Sequence, residues 1–522
     1  MKITVSKKYM TLPINTDRAL KSILFFENDT LIYDMSCRID TIDPKFTAYV
    51  DVERYIGKTI EIIIDPYIDC DIGFTDKMEL PMLYHETLRP QIHFTVPNGY
   101  SGDPNGLIYY DGTYHLFYQY APVTNATSNP NMHWGHASST DLLHWQNHDC
   151  ALFPDEMGAM FSGSAIEDVN NITGLSKNGK TPFLLYYTAA GDKLRISQGK
   201  KRTQCMAYST DGGKTFTKYE KNPVVEHIKG LNRDPKVVWV EEINKFVMVI
   251  YHDYFEFLSS DDLINWTRLN EISIGKDREC PDIYQINCNG KKKWVVSGAS
   301  DYYVLGHFTD SAFVPETEPK KLTCGGTYAT QSFSGINDGR VIRLWWEKNK
   351  NKKIDARFSQ QMGIPTEVTL NEIDGEYYLS ALPVREIETL YKSTVSIKNH
   401  TLTQSISHQL MEEALDISIK APYEENGEIH LTVFGRKIVL NTAANTAGIP
   451  DEYVSMPLSL KKDVIDVRII IDACSIEFYS DGGKYCMSFD APWDLNLPYI
   501  ELSSPQTAEI HDFTYHTLHS IH

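Results

Sequence analysis

Residues 106–118 read Gly-Leu-Ile-Tyr-Tyr-Asp-Gly-Thr-Tyr-His-Leu-Phe-Tyr. Aromatic and β-branched residues on both sides of an Asp-Gly pair are typical of a two-stranded hairpin. Similar short runs, bounded by Gly, Asn and Asp, occur at 183–188, 236–240 and 246–251. Helical periodicity is weak, and its best candidate, residues 384–391, predicts only a short helix between domains. The sequence therefore predicts an all-β protein.

A degenerate repeat indicates how the strands are arranged. Three segments share the order Ser, Asp, turn, aromatic: 138–145, 209–216 and 259–266. An Asp that binds its own backbone in a turn, followed by an aromatic residue between strands, is typical of the recurrent hairpin of propeller blades. The alternative is three unrelated type I turns. Because blade insertions map to loops, the uneven spacing of the segments is compatible with a propeller.

The strand patterns divide the chain into four predicted segments. Residues 1–90 contain period-2 strands and are predicted to form an N-terminal accessory all-β domain. Residues 91–385 carry the repeat and are predicted to form the catalytic domain. A linker is predicted at 386–397. Residues 398–522 are again rich in hairpins, which favours a C-terminal β-sandwich.

The composition excludes several classes of partner. Hydrophobic residues make up 42% of the 522-residue chain, which provides enough core for two or three domains. The net charge of −19 disfavours nucleic acid and anionic membranes, because both are bound by clusters of Lys and Arg. A neutral polyol is compatible with this charge.

The N-terminal sequence and the spacing of the cysteines predict in which cellular compartment the protein lies. The N-terminus lacks the apolar run of a signal peptide, and no stretch of about 18 apolar residues predicts a transmembrane helix. The nine cysteines lack the spacing of a disulfide framework or a zinc site. We therefore expect a cytoplasmic protein with reduced thiols, and a site that needs neither metal nor cofactor.

Three acidic residues stand in unusual local contexts. Asp103 lies in Gly-Asp-Pro-Asn-Gly, Asp234 in Arg-Asp-Pro and Glu279 in Glu-Cys-Pro. Most acidic residues are exposed surface charges. Each of these three, however, has a proline one or two residues later, which restricts the backbone and so fixes the direction of the side chain. A retaining glycosidase needs a nucleophilic carboxylate and a proton-donating carboxyl group about 5 Å apart. A third carboxylate can hold the sugar, so these residues favour a glycosidase.

From His93 to the C-terminus the chain resembles glycoside hydrolase family 32, which comprises invertases, inulinases, levanases and related β-fructofuranosidases. The motifs that carry the resemblance follow the family's order: Asp103-Pro-Asn-Gly, His133-Trp-Gly-His, Phe161-Ser-Gly-Ser, Arg233-Asp-Pro, Glu279-Cys-Pro, Tyr328-Ala-Thr-Gln-Ser-Phe, Gly339-Arg-Val-Ile-Arg-Leu-Trp-Trp, Met362-Gly-Ile-Pro-Thr-Glu and Asp472-Ala-Cys-Ser-Ile-Glu-Phe-Tyr. The resemblance implies a five-bladed β-propeller with an axial acidic pocket, followed by a β-sandwich. Residues 1–90 lie outside it.

The resemblance also implies roles for individual residues. Asp103 resembles the nucleophile that forms a fructosyl-enzyme ester, and Glu279 resembles the acid that protonates the departing oxygen and then activates water. Asp234 resembles the transition-state stabiliser, with Arg233 as a substrate-binding neighbour that keeps it charged. The nucleophile has to be ionised and the acid protonated, so we expect a raised pKa at Glu279, in part from mutual repulsion. Cys280 is expected to be a buried, inert thiol.

Five further side chains are predicted to bind substrate, each with a structural alternative. Gln119 either hydrogen-bonds the terminal fructose or satisfies strand backbone. Trp134 and Phe161 either wall the sugar pocket or pack in the core. Ser162 either contacts sugar or closes a turn, and Asn105 either contacts sugar or holds the Asp-Pro-Asn-Gly turn.

The chain departs from the family pattern just before the nucleophile. Relatives commonly have Trp, then Met, Ile or Leu, then Asn at positions where this chain has Tyr100, Ser101 and Gly102. The change removes an amide that could touch substrate, and Gly loosens the backbone. We therefore expect hydrolysis with an altered leaving-group subsite and linkage preference.

Together these features predict a retaining, exo-acting enzyme that releases terminal non-reducing β-D-fructofuranosyl residues. Inulin-type or levan-type fructo-oligosaccharides, sucrose or both are the expected substrates. Sucrose 6-phosphate hydrolysis and fructosyl transfer are the nearest alternatives, and a non-catalytic sugar-binding protein is a distant one. The N-terminal accessory domain is expected to serve packing or assembly, and a homo-oligomer is one arrangement compatible with that role.

Overall fold

The computed structural model describes residues 1–123, 131–177, 179–348, 357–452, 454–491 and 493–522. Strands account for nearly all regular structure in these ranges, which confirms the predicted all-β class. The helical turns in them are short 3-10 helices: Glu53–Tyr55, Glu241–Ile243, Arg385–Leu390 and Pro450–Glu452. The third lies in the stretch predicted as a short helix. Within the described ranges, none of these helices has the length and apolarity to cross a membrane.

The N-terminal strands form two small sheets. One has the order β1-β6-β3-β4 and the other the order β5-β2-β7. A single apolar core that includes Met10, Phe25 and Tyr33 lies between them. The strands are β1 (Lys2–Thr4), β2 (Tyr9–Ile14), β3 (Lys21–Glu27), β4 (Thr30–Cys37), β5 (Phe46–Asp51), β6 (Thr59–Asp65) and β7 (Gly73–Thr75).

Five antiparallel four-stranded sheets follow in chain order in the described part of the middle region. The first contains β8 (Gly99–Tyr110), β9 (Thr113–Ala121), β10 (His133–Ser139) and β11 (Gln146–Asn147), and the second β12 (Ala159–Glu167), β13 (Phe183–Ala190), β14 (Thr203–Ser209) and β15 (Thr217–Lys218). The third contains β16 (Arg233–Val240), β17 (Lys245–Tyr251), β18 (Phe255–Ser260) and β19 (Thr267–Ile272), and the fourth β20 (Asp282–Cys288), β21 (Lys291–Ser297), β22 (Tyr302–Thr309) and β23 (Ala312–Pro315), with β24 (Lys320–Lys321) beside β22. After β25 (Thr323–Gly325), the fifth contains β26 (Thr327–Ser332), β27 (Val341–Glu347), β30 (Thr366–Ile373) and β31 (Glu376–Pro383), with β29 (Gln361–Met362) beside β27. The short strand β28 (Phe358–Ser359) is added to the first sheet beside β8.

The first strands of the five sheets form a closed ring. Strands β8, β12, β16, β20 and β26 contact one another in that order, and β26 contacts β8. The short strand β28 also pairs in parallel with the start of β8. Each first strand therefore presents one end to a common centre.

Local turn chemistry builds these sheets as the sequence predicts. Asp111 and Gly112 join β8 to β9 with φ of 49° and 81°, the left-handed values of a type I′ hairpin. In the repeated turns, Asp141, Asp211 and Asp262 each accept backbone N–H groups, and a Ser hydroxyl two residues earlier donates to each carboxylate. The three turns are therefore equivalent rather than unrelated, and they occupy the hairpin between the third and fourth strands of the first three sheets.

The C-terminal strands form two larger sheets around one apolar core. The seven-stranded sheet has the order β25-β41-β40-β39-β34-β43-β32, and the six-stranded sheet has the order β33-β42-β35-β36-β37-β38. The strands are β32 (Tyr391–Leu402), β33 (Ile406–Gln409), β34 (Leu415–Pro422), β35 (Glu428–Val433), β36 (Arg436–Asn441), β37 (Thr446–Ile449), β38 (Val454–Pro457), β39 (Val464–Asp472), β40 (Ser475–Ser480), β41 (Tyr485–Asp490), β42 (Tyr499–Ser503) and β43 (Ala508–Leu518). The segment predicted as a linker, 386–397, comprises most of the third helix and the first half of β32.

A buried charge cluster joins the middle region to the seven-stranded sheet. His93 Nδ1 lies 2.7 Å from Asp472 Oδ2, and His93 Nε2 lies 3.1 Å from Glu477 Oε1. Burial lowers the pKa of His93, but the hydrogen bonds to the two carboxylates outweigh it and raise the pKa to about 10. The buried imidazole is therefore a cation between two carboxylates.

Candidate active site

The three predicted carboxylates meet at the centre of the ring. Asp103 lies in β8, Asp234 is the second residue of β16, and Glu279 lies three residues before β20. The thiol Sγ of Cys280 is 3.6 Å from Asp103 Oδ2 and 3.6 Å from Asp234 Oδ2. The sheets thus bring together residues that are far apart in the sequence.

Arg233 connects two of the carboxylates. Its Nη2 donates to Glu279 Oε2 at 2.7 Å, and its Nε donates to the same oxygen at 3.2 Å. The Nε atom is also 3.4 Å from Asp234 Oδ2. The hydroxyl of Tyr328 donates to the other oxygen, Glu279 Oε1. Arg233 therefore binds Glu279 more closely than its sequence neighbour Asp234.

The backbone at this site differs from the extended form that a following proline favours. Asp234, Glu279 and Cys280 have φ of 64°, 45° and 44°, in the left-handed region that non-glycine residues rarely adopt. Such strain persists only where the surroundings hold it. Here Cys280 N donates to Asp234 Oδ2 at 3.0 Å, and Asp234 N donates to Thr188 Oγ1 at 2.8 Å.

The electrostatics do not follow the predicted order of pKa values. Burial raises the pKa of Asp103, although the hydrogen bond from Ser162 opposes it. Burial also raises the pKa of Asp234 to about 7, against the charge of Arg233. At Glu279 burial again raises the pKa, but the hydrogen bonds from Tyr328 and Arg233 outweigh it, so the pKa lies below its usual value. The expected rise at Glu279 is therefore wrong for the unliganded site, because two donors hold its carboxylate.

Three predicted contact residues form a polar layer behind Asp103. Ser162 Oγ donates to Asp103 Oδ2 at 2.7 Å. In the amide orientation that satisfies both ends, Asn105 donates to Ser162 Oγ at 3.3 Å and accepts from Gln119 Nε2 at 3.0 Å. Gln119 Nε2 also donates to the backbone oxygen of Met160 at 2.9 Å. These side chains orient Asp103 through Ser162.

The two predicted aromatic walls have different positions. Trp134 is fully buried, and its Nε1 donates to the backbone oxygen of Phe161 at 3.0 Å. The prediction that Trp134 touches substrate is therefore wrong, because its ring packs among the core residues of the first two sheets. Phe161 is only partly buried, and the guanidinium of Arg202 lies 5.1 Å from its ring centre.

Several functional contacts were not predicted from sequence. Tyr328 stood in a family motif without an assigned role, and it binds Glu279. Cys280 is predicted to be an inert thiol, and burial raises its pKa, which keeps the thiol protonated. Its single S–H proton lies within hydrogen-bond reach of both Asp103 Oδ2 and Asp234 Oδ2. Asp277 holds the loop before Glu279, because its carboxylate accepts the backbone N–H groups of Ser300 and Tyr302 at 2.8 Å each. Proximity of Asp277 to Glu279 in sequence was the signal that could have found it.

One group of side chains elsewhere has the spacing of a metal site. His252, Glu256 and Glu271 lie close together in the third sheet. His252 Nδ1 accepts the backbone N–H of Asp253 at 2.7 Å, so Nε2 carries the proton that it donates to Glu256 at 2.8 Å. Arg268 pairs with both glutamates. The group is therefore an ion-pair network with no free nitrogen ligand.

Comparison with known proteins places this site in a family. The profile of the glycosyl hydrolases family 32 N-terminal domain matches residues 93–381. The chain belongs to glycoside hydrolase family 32. It is therefore a glycoside hydrolase, and Asp103, Asp234 and Glu279 lie in the matched region.

Individual relatives agree with this assignment. The chain is 33% identical to a levanase from Bacillus subtilis, over 80% of this chain and 67% of the levanase. It is 35% identical to an invertase from Schizosaccharomyces pombe, over 56% of this chain and 54% of the invertase. The crystal structure of an exo-inulinase from Aspergillus awamori aligns with 84% of this chain and 100% of its own at a TM-score of 0.73 and 22% identity. A Schwanniomyces occidentalis β-fructofuranosidase bound to fructosyl-erythritol aligns at a TM-score of 0.73 and 25% identity, covering 85% of this chain and 100% of its own.

Proposed function

We propose that the chain is a retaining, exo-acting β-fructofuranosidase that releases terminal non-reducing β-D-fructofuranosyl residues from fructo-oligosaccharides, sucrose or both. The convergence of Asp103, Asp234 and Glu279 around Cys280 and Arg233 carries the proposal. The names of the family-32 relatives, among them a levanase, an invertase and an exo-inulinase, support the substrate class. The five sheets would be the blades of a five-bladed β-propeller, and the two C-terminal sheets a β-sandwich.

In the proposed reaction, Asp103 attacks the anomeric carbon while Glu279 gives a proton to the leaving oxygen. Asp234 and Arg233 bind the fructosyl hydroxyl groups and stabilise the charge that develops on the ring. Water, deprotonated by Glu279, then hydrolyses the ester. The arrangement of Ser162 fits this role for Asp103, because its hydroxyl stabilises the ionised carboxylate.

The proposed reaction requires the proton to reside on Glu279. In the unliganded site Arg233 and Tyr328 favour the ionised form of Glu279, whereas burial favours the protonated form of Asp103. A fructosyl hydroxyl group that takes over part of the hydrogen bonding of Arg233 raises the pKa of Glu279. Substrate binding would thereby produce the productive protonation state.

The test is fructose release from sucrose, sucrose 6-phosphate, inulin-type and levan-type oligosaccharides, measured by product chromatography.

We predict that Glu279→Gln lowers kcat by about 10²–10⁴-fold, since it removes the general acid. With a fructoside whose leaving group needs no proton, Glu279→Gln should recover much of the loss in kcat/KM, which reports the first step, whereas Asp103→Ala should not recover. The matched control is Glu241→Gln, which changes a carboxylate that is 81% exposed. Equal activity of Glu279→Gln and Glu241→Gln would contradict the proposal.

A further inference from the structure

A second cavity lies where the N-terminal sheets meet the first sheet of the ring. Its volume is about 420 Å³, within the range of about 300–1,000 Å³ found for small-molecule sites. Tyr9 and Tyr49 line it from the N-terminal sheets, and Tyr118 and Tyr120 line it from β9. None of the three catalytic carboxylates lines this cavity.

The aromatic walls are preassembled on both sides. The rings of Tyr9 and Tyr49 pack edge to face with centres 6.3 Å apart, and those of Tyr118 and Tyr120 with centres 5.9 Å apart. The hydroxyl of Tyr49 is anchored by donation to the backbone oxygen of Glu79 at 2.9 Å. Rigid tyrosines offer contact area with few torsions to immobilise on binding, so the two ring pairs are preformed walls of the cavity.

The polar groups of the lining are mainly uncharged. Asn98, Asn147 and His148 line the cavity, and burial lowers the pKa of His148, which favours its neutral form. The Nδ2 atom of Asn98 is buried without a hydrogen-bond partner among the described residues. A buried donor left unpaired is destabilising, so it favours a ligand that supplies an acceptor.

The positive charges near the cavity disfavour a cationic ligand. Lys8 Nζ lies 2.7 Å from Asp149, one of the two carboxylates of the lining. The guanidinium of Arg54 lies 4.4 Å from the ring centre of Phe153, another lining residue. The aromatic face and the carboxylate that would attract a cation are thus already used by protein cations.

We propose that this cavity is a second, non-catalytic site for a neutral oligosaccharide built of hexose units. Tyrosine rings would pack against the C–H surfaces of the sugar, and the unpaired Nδ2 of Asn98 would donate to one of its hydroxyl groups. The site gives the N-terminal sheets a role in holding carbohydrate beside the catalytic ring. The inference stands apart from the proposed reaction, because it depends on none of the catalytic residues.

The test is isothermal titration calorimetry of the full-length protein in the Glu279→Gln background, with 1-kestose, maltotriose and choline as probes. Tyr9→Ala removes one ring, and Asn98→Ala removes the unpaired donor. Because 1-kestose also binds the proposed catalytic site, its second binding event is the one compared. Each variant is expected to weaken that event, or the binding of maltotriose, about tenfold or more. Tyr67→Ala, which removes a tyrosine 79% exposed elsewhere in the N-terminal region, is the matched control and should bind as the parent does.

Two results would overturn the proposal. One is binding of both sugars by Tyr9→Ala and Asn98→Ala that equals binding by Tyr67→Ala, with all three variants folded by circular dichroism. The other is loss of choline binding, but not sugar binding, in the two cavity variants. Failure of the proposed reaction has a different signature: the protein with an intact Glu279 then releases no fructose, whereas the effect of the cavity variants on sugar binding persists.

Discussion

Glu279 owes its low pKa to groups that contact it directly. The Tyr328 hydroxyl and the Arg233 guanidinium both donate to its carboxylate and together outweigh burial. In the proposed reaction hydrolysis needs protonated Glu279, whose population falls as the pH rises through its pKa. Removal of the hydroxyl raises that pKa, so the protonated acid persists to higher pH.

We predict that Tyr328→Phe moves the alkaline limb of the kcat/KM profile upward by about one pH unit. The measurement is fructose release from the best substrate between pH 4 and pH 9. Tyr377→Phe, in the outer strand β31, removes a hydroxyl far from the site and should leave the profile unchanged. An alkaline limb that moves downward or stays in place in Tyr328→Phe would refute the assignment of Glu279 as the acid under control of Tyr328.

Gly102 leaves room for the side chain of Tyr100. A Cβ atom at position 102 would lie 3.0 Å from the Tyr100 hydroxyl, a contact tighter than most, so the ring has to shift. Tyr100 packs edge to face against Trp346, which packs in the same way against Tyr328, with ring centres 6.1 Å apart in both pairs. A shift of Tyr100 therefore reaches the residue that binds Glu279.

We predict that Gly102→Asn changes the ratio of kcat/KM for sucrose and for inulin-type trisaccharide by about tenfold. The comparison is made by initial rates of fructose release on both substrates. Gly112→Asn is the matched control, because nothing lies within 4 Å of the added Cβ in that turn and Asn tolerates its positive φ of 81°. If the ratio of kcat/KM values stays the same in both variants, Gly102 does not determine substrate preference.

The sequence motifs identified three carboxylates that lie together in the structure, but not the side chains that contact them. Asp103, Asp234 and Glu279 were predicted because their local contexts are unusual, and the structure brings them together. The partner of Arg233 was not predictable, because Glu279 becomes its neighbour only where β16 and β20, which belong to different sheets, contact each other. Likewise, Trp134 lies in the core because its ring packs between the first two sheets. The residues next to Trp134 in the sequence do not reveal how these sheets pack.

At the scale of the elements, the repeated turns allow a test of whether their Asp residues stabilise the fold. The Asp262 carboxylate accepts the N–H groups of Ile264 and Asn265 at 2.9 and 2.7 Å, whereas its neighbour Asp261 pairs with Lys245 at the surface. Hydrogen bonds to a charged acceptor contribute more to stability than an exposed ion pair. The adjacent residues therefore form a matched pair.

We predict that Asp262→Ala lowers the free energy of unfolding by about 1.5–3 kcal/mol, because backbone donors lose a charged acceptor. Asp261→Ala should cost about 0–1 kcal/mol, as expected for an exposed pair. Urea unfolding followed by tryptophan fluorescence measures both. Equal losses in the two variants would mean that the turn does not depend on its Asp.

Hairpins and their turns were predictable because their signals are local. The Asp-Gly pair between β8 and β9 and the Ser-Asp turns needed only neighbouring residues. In contrast, β25 and β28 are three and two residues long, and each pairs in parallel with a strand far away in sequence. Such pairings depend on the assembled sheets, so no periodicity could reveal them.

At the scale of the molecule, the ion cluster of His93, Asp472 and Glu477 links the ring to the C-terminal sheets. The pKa of His93 is raised from 6.5 to about 10 by its hydrogen bonds with the two carboxylates. A histidine whose pKa is higher in the folded state than in the unfolded state stabilises the fold fully at pH values below its unfolded pKa. This stabilisation is lost as the pH rises through the folded-state pKa. The stabilisation from His93 is therefore complete below about pH 6.5 and declines towards pH 10.

We predict that His93→Ala lowers the free energy of unfolding by about 3–5 kcal/mol at pH 6, because two buried carboxylates lose their cation. The deficit relative to the parent should shrink as the pH rises from 6.5 to 10. Urea unfolding at several pH values measures it. His307→Ala, which removes an exposed histidine paired with Glu316, is the control and should show a small deficit. A deficit of His93→Ala that does not vary with pH would contradict a charged imidazole.

The pairing of β28 with β8 has a consequence for the synthesis of the chain on the ribosome. The start of β8 emerges early, but its partner β28 begins at Phe358. At translation rates of about 5–20 residues per second, that edge stays unpaired for roughly ten to fifty seconds. An unpaired strand edge recruits other chains. The yield of active enzyme in a cell therefore depends on chaperone capacity during this interval. Slower translation after residue 358 would not shorten the time for which the edge of β8 is unpaired.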